Sequence, residues 1–433
     1  MDIIRDLLKG TPLPRMAKVR QTFPASEVED VAGTLRAEIA KPAIAGSIKA
    51  GMRIAIAVGS RGVAEIPTLA RVTAEEIRRR GGKPFIVPAM GSHGGATAAG
   101  QKEVLANLGV TEATAGCEIL SSMEVVEIGR LPVGLPVYMD KFAYEADGIV
   151  VINRVKPHTA FRGPNESGVV KMITIGLGKQ KGAEACHAYG FGVAAEYIPA
   201  MAEITLAKAP ILFGVATVEN AYDRVAKIVA IPPKELAATD RALLIEAKAA
   251  MARIGFDQMD VLIVDEIGKE ISGDGMDPNI MGRYPTPFAS GGPQINKLVL
   301  LDLTEKSHGN ANGMGHADYT TRKFWNKVDF PVSYANCLTS TAVLPCKGPV
   351  VLENDRDAIL AGIKTCNARD LKQARVVRIK NTLRLEEIYI SEAMLAEAAS
   401  RPEMEIIAPP AEMAFDAAGN LLDQPARVGA TAE

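Results

Sequence analysis

Short apolar runs typical of β-strands alternate along the chain with amphipathic stretches typical of α-helices. The pattern begins with a run at 53–58, an amphipathic stretch at 66–80 and a second run at 84–88. This βαβ order predicts an α/β fold, in which mostly parallel sheets carry helices on both faces and bind ligands beyond the carboxyl ends of the strands. Comparable runs occur at 148–152, 172–175, 211–216, 261–264, 298–301 and 375–379.

The length of the chain predicts more than one domain, because 433 residues exceed what one hydrophobic core usually supports. A helical segment rich in Ala, Leu, Glu and Lys at 233–253 precedes a new strand at 260. We therefore predict an N-terminal α/β domain at 1–253 and a C-terminal α/β domain at 254–400, with the active site in the cleft between them. The Pro- and Ala-rich tail at 401–433 could pack back on the first domain.

Composition and charge exclude several classes of function. The formal net charge is −2, from 49 basic and 51 acidic side chains, so the basic excess that nucleic acid or an anionic membrane requires is missing. The stretch 1–20 has no apolar signal core, and no run approaches the roughly 20 apolar residues of a membrane span. The five cysteines lack a C-x-x-C pairing, which is typical of free thiols in a reducing cytosol. We expect a cytoplasmic protein that binds neither nucleic acid nor a membrane.

The chain has five histidines, and all of them fall in Gly-rich or polar segments rather than in apolar runs. His93, His158 and His187 lie near predicted strand ends or helix starts, where α/β enzymes place ligands. Lys171 stands between the second and the third of them. Three histidines around one lysine indicate acid–base or metal chemistry.

Two Gly-rich loops follow successive predicted strands. Their backbone N–H groups, together with a guanidinium in the first loop, could hold a phosphate. Neither loop has the spacing of a G-x-x-x-x-G-K-[ST] or a G-x-G-x-x-G motif, so neither an NTPase nor a standard nicotinamide-binding site is indicated. The candidate cofactor-binding residues of the two loops are Gly59, Ser60, Arg61, Gly91 and Ser92.

Lys171 follows Ser167 and Gly168 and stands in the apolar sequence VVKMITIG, which predicts a short strand at 171–175. A lysine in such a strand must either leave the sheet at its end or be engaged covalently or ionically. We therefore single out Lys171 as more than a solvated surface cation.

Taken in order, these features resemble the nickel-dependent lactate racemase superfamily. The ordered set comprises a strand-end loop with Arg61, a G-[ST]-H loop with His93, a K-P-H element with His158, an S-G-x-x-K element ending at Lys171, and His187 sixteen residues later. It spans most of the first domain, about half of the chain. The resemblance implies an isomerase, namely a racemase or epimerase of a small 2-hydroxy acid.

The resemblance also implies a cofactor. Lys171 would carry a pyridinium-derived mononucleotide through a thioamide link, and this group and a thiocarboxylate would hold one nickel ion as a pincer. His187 would complete the square-planar nickel, a geometry that suits this ion. The Gly-rich loops with Arg61, and also Ser167 and Gly168, would bind the nucleotide. The enzymes that synthesise the cofactor would then be partners of the protein.

His93 and His158 would be the acid–base pair of this family. Removing the α-proton of a 2-hydroxy acid would leave a carbanion beside a carboxylate, whereas loss of hydride to an electron-poor ring gives a stable keto acid. Return of the hydride to the other face inverts the centre. Each enantiomer points its hydroxyl differently, so one histidine is needed for each.

The chain differs from the family pattern in both predicted domains. In the first domain, Val58 stands where an acidic residue precedes the first-loop arginine. In the second domain, the tyrosine, glutamine and lysine that engage lactate in these racemases are not found. Two polar, Gly-rich segments at 272–283 and 307–322 stand there instead. They predict a substrate more polar than lactate, bound by Arg283, Arg322 and His308, because a guanidinium holds a carboxylate through two parallel hydrogen bonds.

Two other functions fit the same residues. A metal-dependent lyase or hydrolase would bind its metal directly with His93, His158 and His187. A sugar-acid binding protein would keep the fold without the cofactor. Metal content and the intact mass of the protein distinguish these hypotheses.

Overall fold

A computed structural model describes residues 2–60 and 62–422 of the chain. Contacts divide the chain into two compact units. We call Pro24–Met251 the N-terminal unit, and the described residues of Met1–Phe23 and Ala252–Glu433 the C-terminal unit. Each unit is an α/β fold with a central, mostly parallel sheet and helices, so the predicted fold class is confirmed.

The strands of the described residues are β1 (Met16–Gln21), β2 (Arg53–Val58), β3 (Lys83–Pro88), β4 (Val125–Arg130), β5 (Pro136–Asp140), β6 (Gly148–Arg154), β7 (Ile211–Glu219), β8 (Val225–Ile231), β9 (Gln258–Ile267), β10 (Gln294–Leu303), β11 (Tyr319–Thr321), β12 (Val350–Leu352), β13 (Val376–Ile379), β14 (Glu387–Ser391) and β15 (Met404–Ala411).

The α-helices are α1 (Asp2–Leu8), α2 (Val31–Ala40), α3 (Pro42–Ala45), α4 (Ile66–Arg79), α5 (Ala98–Asn107), α6 (Glu112–Ala115), α7 (Lys141–Tyr144), α8 (Val169–Lys171), α9 (Lys179–His187), α10 (Ala194–Lys208), α11 (Leu236–Ala250), α12 (Pro278–Met281), α13 (Arg322–Asn326), α14 (Phe330–Ser340), α15 (Asp355–Thr365) and α16 (Leu395–Ala399). A π-helical turn covers Met172–Gly176. The 3₁₀ turns are Gly94–Ala96, Phe191–Val193, Pro233–Glu235, Glu305–Ser307, Met314–His316, Leu344–Cys346, Leu371–Gln373 and Glu392–Met394.

The sheet of the N-terminal unit has the order β3-β2-β6-β7-β8, in which only β8 is antiparallel to its neighbour. Both faces are covered. In β2, Ile54 and Ile56 join one core cluster, and Ala55 and Ala57 join the other. Burial on both faces explains why these strands read as continuous apolar runs.

The sheet of the C-terminal unit has the order β12-β11-β10-β9-β13-β14-β1-β15. The first five strands are parallel, and the last three are antiparallel to their neighbours. A further hairpin pairs β4 with β5 in the N-terminal unit. In the described part of the chain no helix is long and apolar enough to cross a membrane.

The division of the chain differs from the predicted boundaries at its two ends. The first 23 residues belong to the C-terminal unit, although the sequence prediction included them in the first domain. The reason is that β1 pairs with β14 and β15 at the far end of the chain. Part of the predicted tail, Met404–Ala411, is therefore a strand of the C-terminal sheet, and residues 423–433 lie outside the described residues.

The predicted strand at 171–175 is wrong, because these residues end α8 and form the π-helical turn. Residues 169–170 and 172–176 are buried, and a short run that is apolar on all sides has no periodicity to separate helix from strand. The carboxylate of Asp240 in α11 accepts a hydrogen bond from the backbone N–H of Val169 at 3.0 Å. This distant side chain caps the start of the helix, which no local pattern reveals.

Candidate functional site

The two Gly-rich loops meet at one edge of the N-terminal sheet. Gly59 and Ser60 follow β2, and Gly91 to His93 follow the neighbouring parallel strand β3. The hydroxyl of Ser60 is hydrogen-bonded to Nδ1 of His93. The two loops therefore lie side by side at this edge. Arg61 lies outside the described residues.

His158 and Lys171 are in direct contact. His158 follows β6, which is the other neighbour of β2, and Lys171 is the last residue of α8. The distance between Lys171 Nζ and His158 Nε2 is 2.6 Å. The backbone N–H of Ala160 donates to His158 Nδ1 at 3.0 Å, which orients the ring so that Nε2 faces the lysine.

The loop that carries His158 is held by Glu166, whose side chain is fully buried. Its Oε2 accepts from the backbone N–H of His158 at 2.8 Å, and its Oε1 accepts from Lys248 Nζ at 2.7 Å. Arg162 also bonds this carboxylate and donates to the carbonyl of His158. Glu166 is a functional-site residue whose role the sequence does not reveal. Its only local signal is the i, i+4 spacing to Arg162.

Ser167 and Gly168 lead into α8 rather than into a nucleotide loop. Ser167 pairs with Lys156 through two backbone hydrogen bonds. At Gly168 a Cβ atom would lie 2.1 Å from Asp240 Oδ1, so only glycine lets the capping carboxylate approach. Burial raises the pKa of Asp240 to about 6, although hydrogen bonds from Asn165, Val169 and Val170 oppose this rise. These contacts fix Lys171; a direct role for Ser167 and Gly168 in cofactor binding stays a prediction.

His187 is the last residue of α9. One aromatic ring, that of Phe191, lies next to both His187 and His158. The ring centroid of Phe191 is 5.5 Å from that of His187 and 5.9 Å from that of His158. Phe161 also packs against His158, at 4.5 Å, and its ring lies 6.5 Å from that of Phe191. The two phenylalanines thus line the space around the imidazoles with apolar surface, a feature that the sequence prediction missed.

The predicted substrate residues all belong to the C-terminal unit. Arg283 donates to the carbonyl of His316 at 2.6 Å and pairs with Asp318 at 2.8 Å. These contacts hold Arg283 against its own unit. His308 is exposed in a left-handed conformation (φ 47°), and Arg322 is exposed as the first residue of α13. Their roles in substrate binding stay predictions.

The geometry bears on the choice between metal arrangements. In residues 2–60 and 62–422, no group of three or more His, Cys, Asp or Glu side chains could hold a metal ion. The direct coordination by His93, His158 and His187 that a lyase or hydrolase would use is therefore not found there. His187 instead shares the ring of Phe191 with His158, the imidazole that contacts Lys171 Nζ. The five cysteines are free thiols.

The fold and these residues define an α/β domain in which His93 and His158 lie on loops after parallel strands, while Lys171 and His187 end helices α8 and α9. Residues 14–196 match the family model described as lactate racemase N-terminal domain. Over these residues the chain is similar to that domain, in agreement with the resemblance of its ordered motifs.

Among solved structures, the chain is similar to the lactate racemase apoprotein from Thermoanaerobacterium thermosaccharolyticum. The two share 14% sequence identity with a TM-score of 0.41, and the match covers 66% of this chain and 74% of the other. A comparison with curated proteins gives no match.

Proposed function

We propose that the protein is a racemase or epimerase of a small, polar 2-hydroxy acid that works with a nickel-pincer nucleotide linked to Lys171. The observation that carries this proposal is the 2.6 Å contact between Lys171 Nζ and His158 Nε2 within a domain of the lactate racemase type. A lysine that serves only as a surface charge has no need of an imidazole partner inside a half-buried site. We place the enzyme in the cytoplasm, together with the enzymes that would supply its cofactor.

The residues present fit this cofactor. Lys171 would form the covalent link, and His187 would give one nitrogen ligand to the nickel. Gly59, Ser60, Gly91 and Ser92, with Arg61, would hold the phosphate at the sheet edge, as loops after parallel strands do. The chemistry that the bound group supplies is reversible acceptance of hydride from the α-carbon of a 2-hydroxy acid.

Two histidines would move the hydroxyl proton. In the tautomer that donates from Nδ1 to Ser60, His93 has a lone pair on Nε2 and can accept the proton. His158 accepts the Ala160 N–H at Nδ1, so its neutral ring presents a proton on Nε2. One histidine set to accept a proton and one set to donate it are what inversion through a keto acid requires.

The polar substrate is proposed from the C-terminal segments. A lactate methyl group cannot use the donors and acceptors that Arg283, Arg322 and His308 and their neighbours offer. Polar groups that a bound substrate covers without pairing cost about 1–3 kcal/mol each, so such a set would disfavour a small apolar substrate. We expect extra hydroxyls or a second carboxylate on the substrate.

The test is to produce the protein together with cofactor-synthesis enzymes and to map its peptides by mass spectrometry. We expect an adduct on Lys171, about one nickel per chain, and loss of optical activity from a sugar acid or malate. Lys171→Arg should lose both adduct and activity. Lys181→Arg, an exposed lysine in α9, is the matched control and should keep both. An active sample with an unmodified Lys171 peptide would overturn the cofactor assignment. A preference for lactate, unchanged in Arg322→Ala and Arg283→Ala, would overturn only the substrate assignment.

A further inference from the structure

A second lysine of the N-terminal unit, Lys179, is completely buried. Its Nζ donates to the carbonyl of Pro88 at 2.6 Å and to Oε1 of Gln101 at 2.9 Å, and it lies 3.2 Å from Oδ2 of the buried Asp140. Burial lowers the pKa of Lys179 and raises the pKa of Asp140, while the attraction between the two groups opposes both shifts. A side chain of this kind remains inside a protein only where oxygen partners surround it.

The partners of Lys179 lead to the loop of His93. Gln101, which is also fully buried, donates from Nε2 to the carbonyl of Gly91 at 2.9 Å and to the carbonyl of His93 at 3.2 Å. Pro88 ends β3, from which the same loop departs. The side chain of Gln101 therefore connects the Lys179 ammonium to the backbone of His93.

Lys179 also begins the helix that ends at His187. It is the first residue of α9, and its φ of 53° lies in the left-handed region that favours glycine. Such a conformation at a residue with a side chain persists only where its surroundings determine it. Here the determining contacts are the hydrogen bonds and the ion pair of the buried Nζ.

The loop that carries His93 packs closely against the segments around it. A Cβ on Gly100, the residue before Gln101, would lie 2.1 Å from the carbonyl oxygen of Gly94. The backbone N–H of Gly91 donates to Gly176 O at 3.2 Å, in the π-helical turn that follows Lys171. Gln101 adds a side-chain donor to each of the carbonyls of Gly91 and His93, and the His93 carbonyl also accepts from the Ala96 N–H at 3.4 Å.

We propose that Gln101 and Lys179 are positioning residues that set the His93 loop relative to helix α9, and so relative to His187. Gln101 supplies two buried side-chain donors to the loop, and Lys179 fixes the orientation of the Gln101 amide by binding its oxygen. The functional consequence rests on the proposed roles of His93 and His187, whereas the structural link does not.

The experiment follows the imidazole signals of isotope-labelled histidine by NMR, since the chain has only five histidines to resolve. The variant Gln101→Met keeps a similar volume but loses all the hydrogen bonds. Gln101→Glu keeps an acceptor for Lys179 and loses the two donors, so it remains informative if the first variant does not fold. We expect the His93 signal to shift or broaden in both variants, while the signals of His308 and His316 in the other unit stay in place.

The matched control is Thr73→Val, which removes another buried hydrogen bond of the same unit, from Thr73 to Leu69 O. It should leave the His93 signal unchanged. A His93 signal that is unchanged in a folded Gln101 variant, or that moves equally in Thr73→Val, would overturn the proposal. In enzyme carrying its cofactor, turnover should also fall about tenfold or more in the Gln101 variants with a smaller change in KM. If the protein proves not to be a racemase, the NMR result still decides the positioning role.

Discussion

At the scale of single residues, the contact between His158 and Lys171 determines which atom carries a proton. Nδ1 of His158 accepts from the Ala160 N–H, so the neutral ring has its own proton on Nε2. That N–H faces Lys171 Nζ at 2.6 Å. An ammonium group has no acceptor site, so the contact is a hydrogen bond only when Lys171 is a neutral amine. In this tautomer of His158 the contact therefore favours the neutral amine of Lys171, which is the form that a covalent link requires.

We predict that this amine is unusually reactive before the cofactor is attached. With an amine-acylating reagent near neutral pH, Lys171 should react about tenfold faster than the exposed Lys181, a difference that corresponds to about 1.4 kcal/mol. His158→Phe keeps a ring but has no N–H, so it should remove the difference. The labelled fraction of each peptide, measured by mass spectrometry across a range of pH, checks this. Equal rates for the two lysines would show that His158 does not act on Lys171.

A second prediction separates the three histidines in the loaded enzyme. Replacing His93 or His158 by Ala should leave nickel bound and lower turnover by about 10²-fold or more, the usual contribution of a general acid or base. His187→Ala should instead release nickel while the Lys171 adduct stays. Metal analysis and peptide mapping of the same samples distinguish these outcomes. Loss of nickel from His93→Ala with an intact adduct would assign His93 to the metal.

The sequence predicted candidate reactive residues of the site but not the residues that hold them in place. His93, His158 and His187 stand out because they fall in Gly-rich or polar segments, and Lys171 stands out because it interrupts an apolar run. Buried groups such as Glu166 and Gln101 act through backbone atoms of distant segments, as do Asp240 and Lys179. Such contacts are set by tertiary packing, which leaves no local pattern in the sequence.

At the scale of elements, the start of helix α8 depends on one carboxylate. Asp240 accepts the Val169 N–H, and its pKa is raised to about 6 from an ordinary value of 3.8, mainly by burial. A carboxyl group with a raised pKa binds its proton more tightly in the folded protein than in the unfolded chain. Its contribution therefore favours folding at low pH and is lost as the pH rises from about 4 to about 6.

We predict that α8 and the π-helical turn become easier to open as the pH rises. From about pH 5 to about pH 7 the opening free energy should fall by about 1 kcal/mol relative to Asp240→Asn, which cannot ionise. Hydrogen exchange of the peptide 169–176, corrected for the intrinsic rate at each pH, measures this difference. The same pH dependence in both proteins would show that Asp240 does not titrate in this range.

The sequence predicted elements well where one face of a helix is buried, or where the length of an apolar run distinguishes a strand from a helix. The predicted strand at 53–58 has the observed bounds, and the amphipathic stretch predicted at 66–80 is helix α4. The run at 171–175 failed because its β-branched residues favour a strand locally, whereas packing around them and the Asp240 cap impose a helix. Propensity is overridden most easily in short, fully buried segments such as this one.

At the scale of the whole molecule, the alternation of strands and helices was enough to predict two α/β units. It was not enough to predict which ends of the chain belong together. β1, β14 and β15 are short strands joined by antiparallel pairing across almost the full length of the chain. Their sequences carry no signal of that partnership, because pairing between distant segments depends on how the rest of the sheet is completed.

The two units should also respond to pH in opposite directions. His316, in the C-terminal unit, is 3% exposed, and within the described residues neither of its ring nitrogens has a hydrogen-bond partner. Burial lowers the pKa of His316 from 6.5 to about 4; the charge of Arg283 adds to this, and Asp274 opposes it. A group with a lowered pKa stabilises the fold above its ordinary value, and that contribution is lost as the pH falls toward about 4.

We therefore predict that the C-terminal unit loses about 2 kcal/mol of stability between about pH 7 and about pH 5 through His316 alone. His316→Phe should remove this loss, since a ring without titratable nitrogens suits a site that offers them no partner. The single tryptophan, Trp325, lies in α13 of the same unit, so its fluorescence during urea unfolding reports on this unit specifically. His308→Phe, at an exposed histidine, is the matched control and should keep the pH dependence of the unaltered protein. If all three proteins lose stability in parallel on acidification, His316 is not the group responsible.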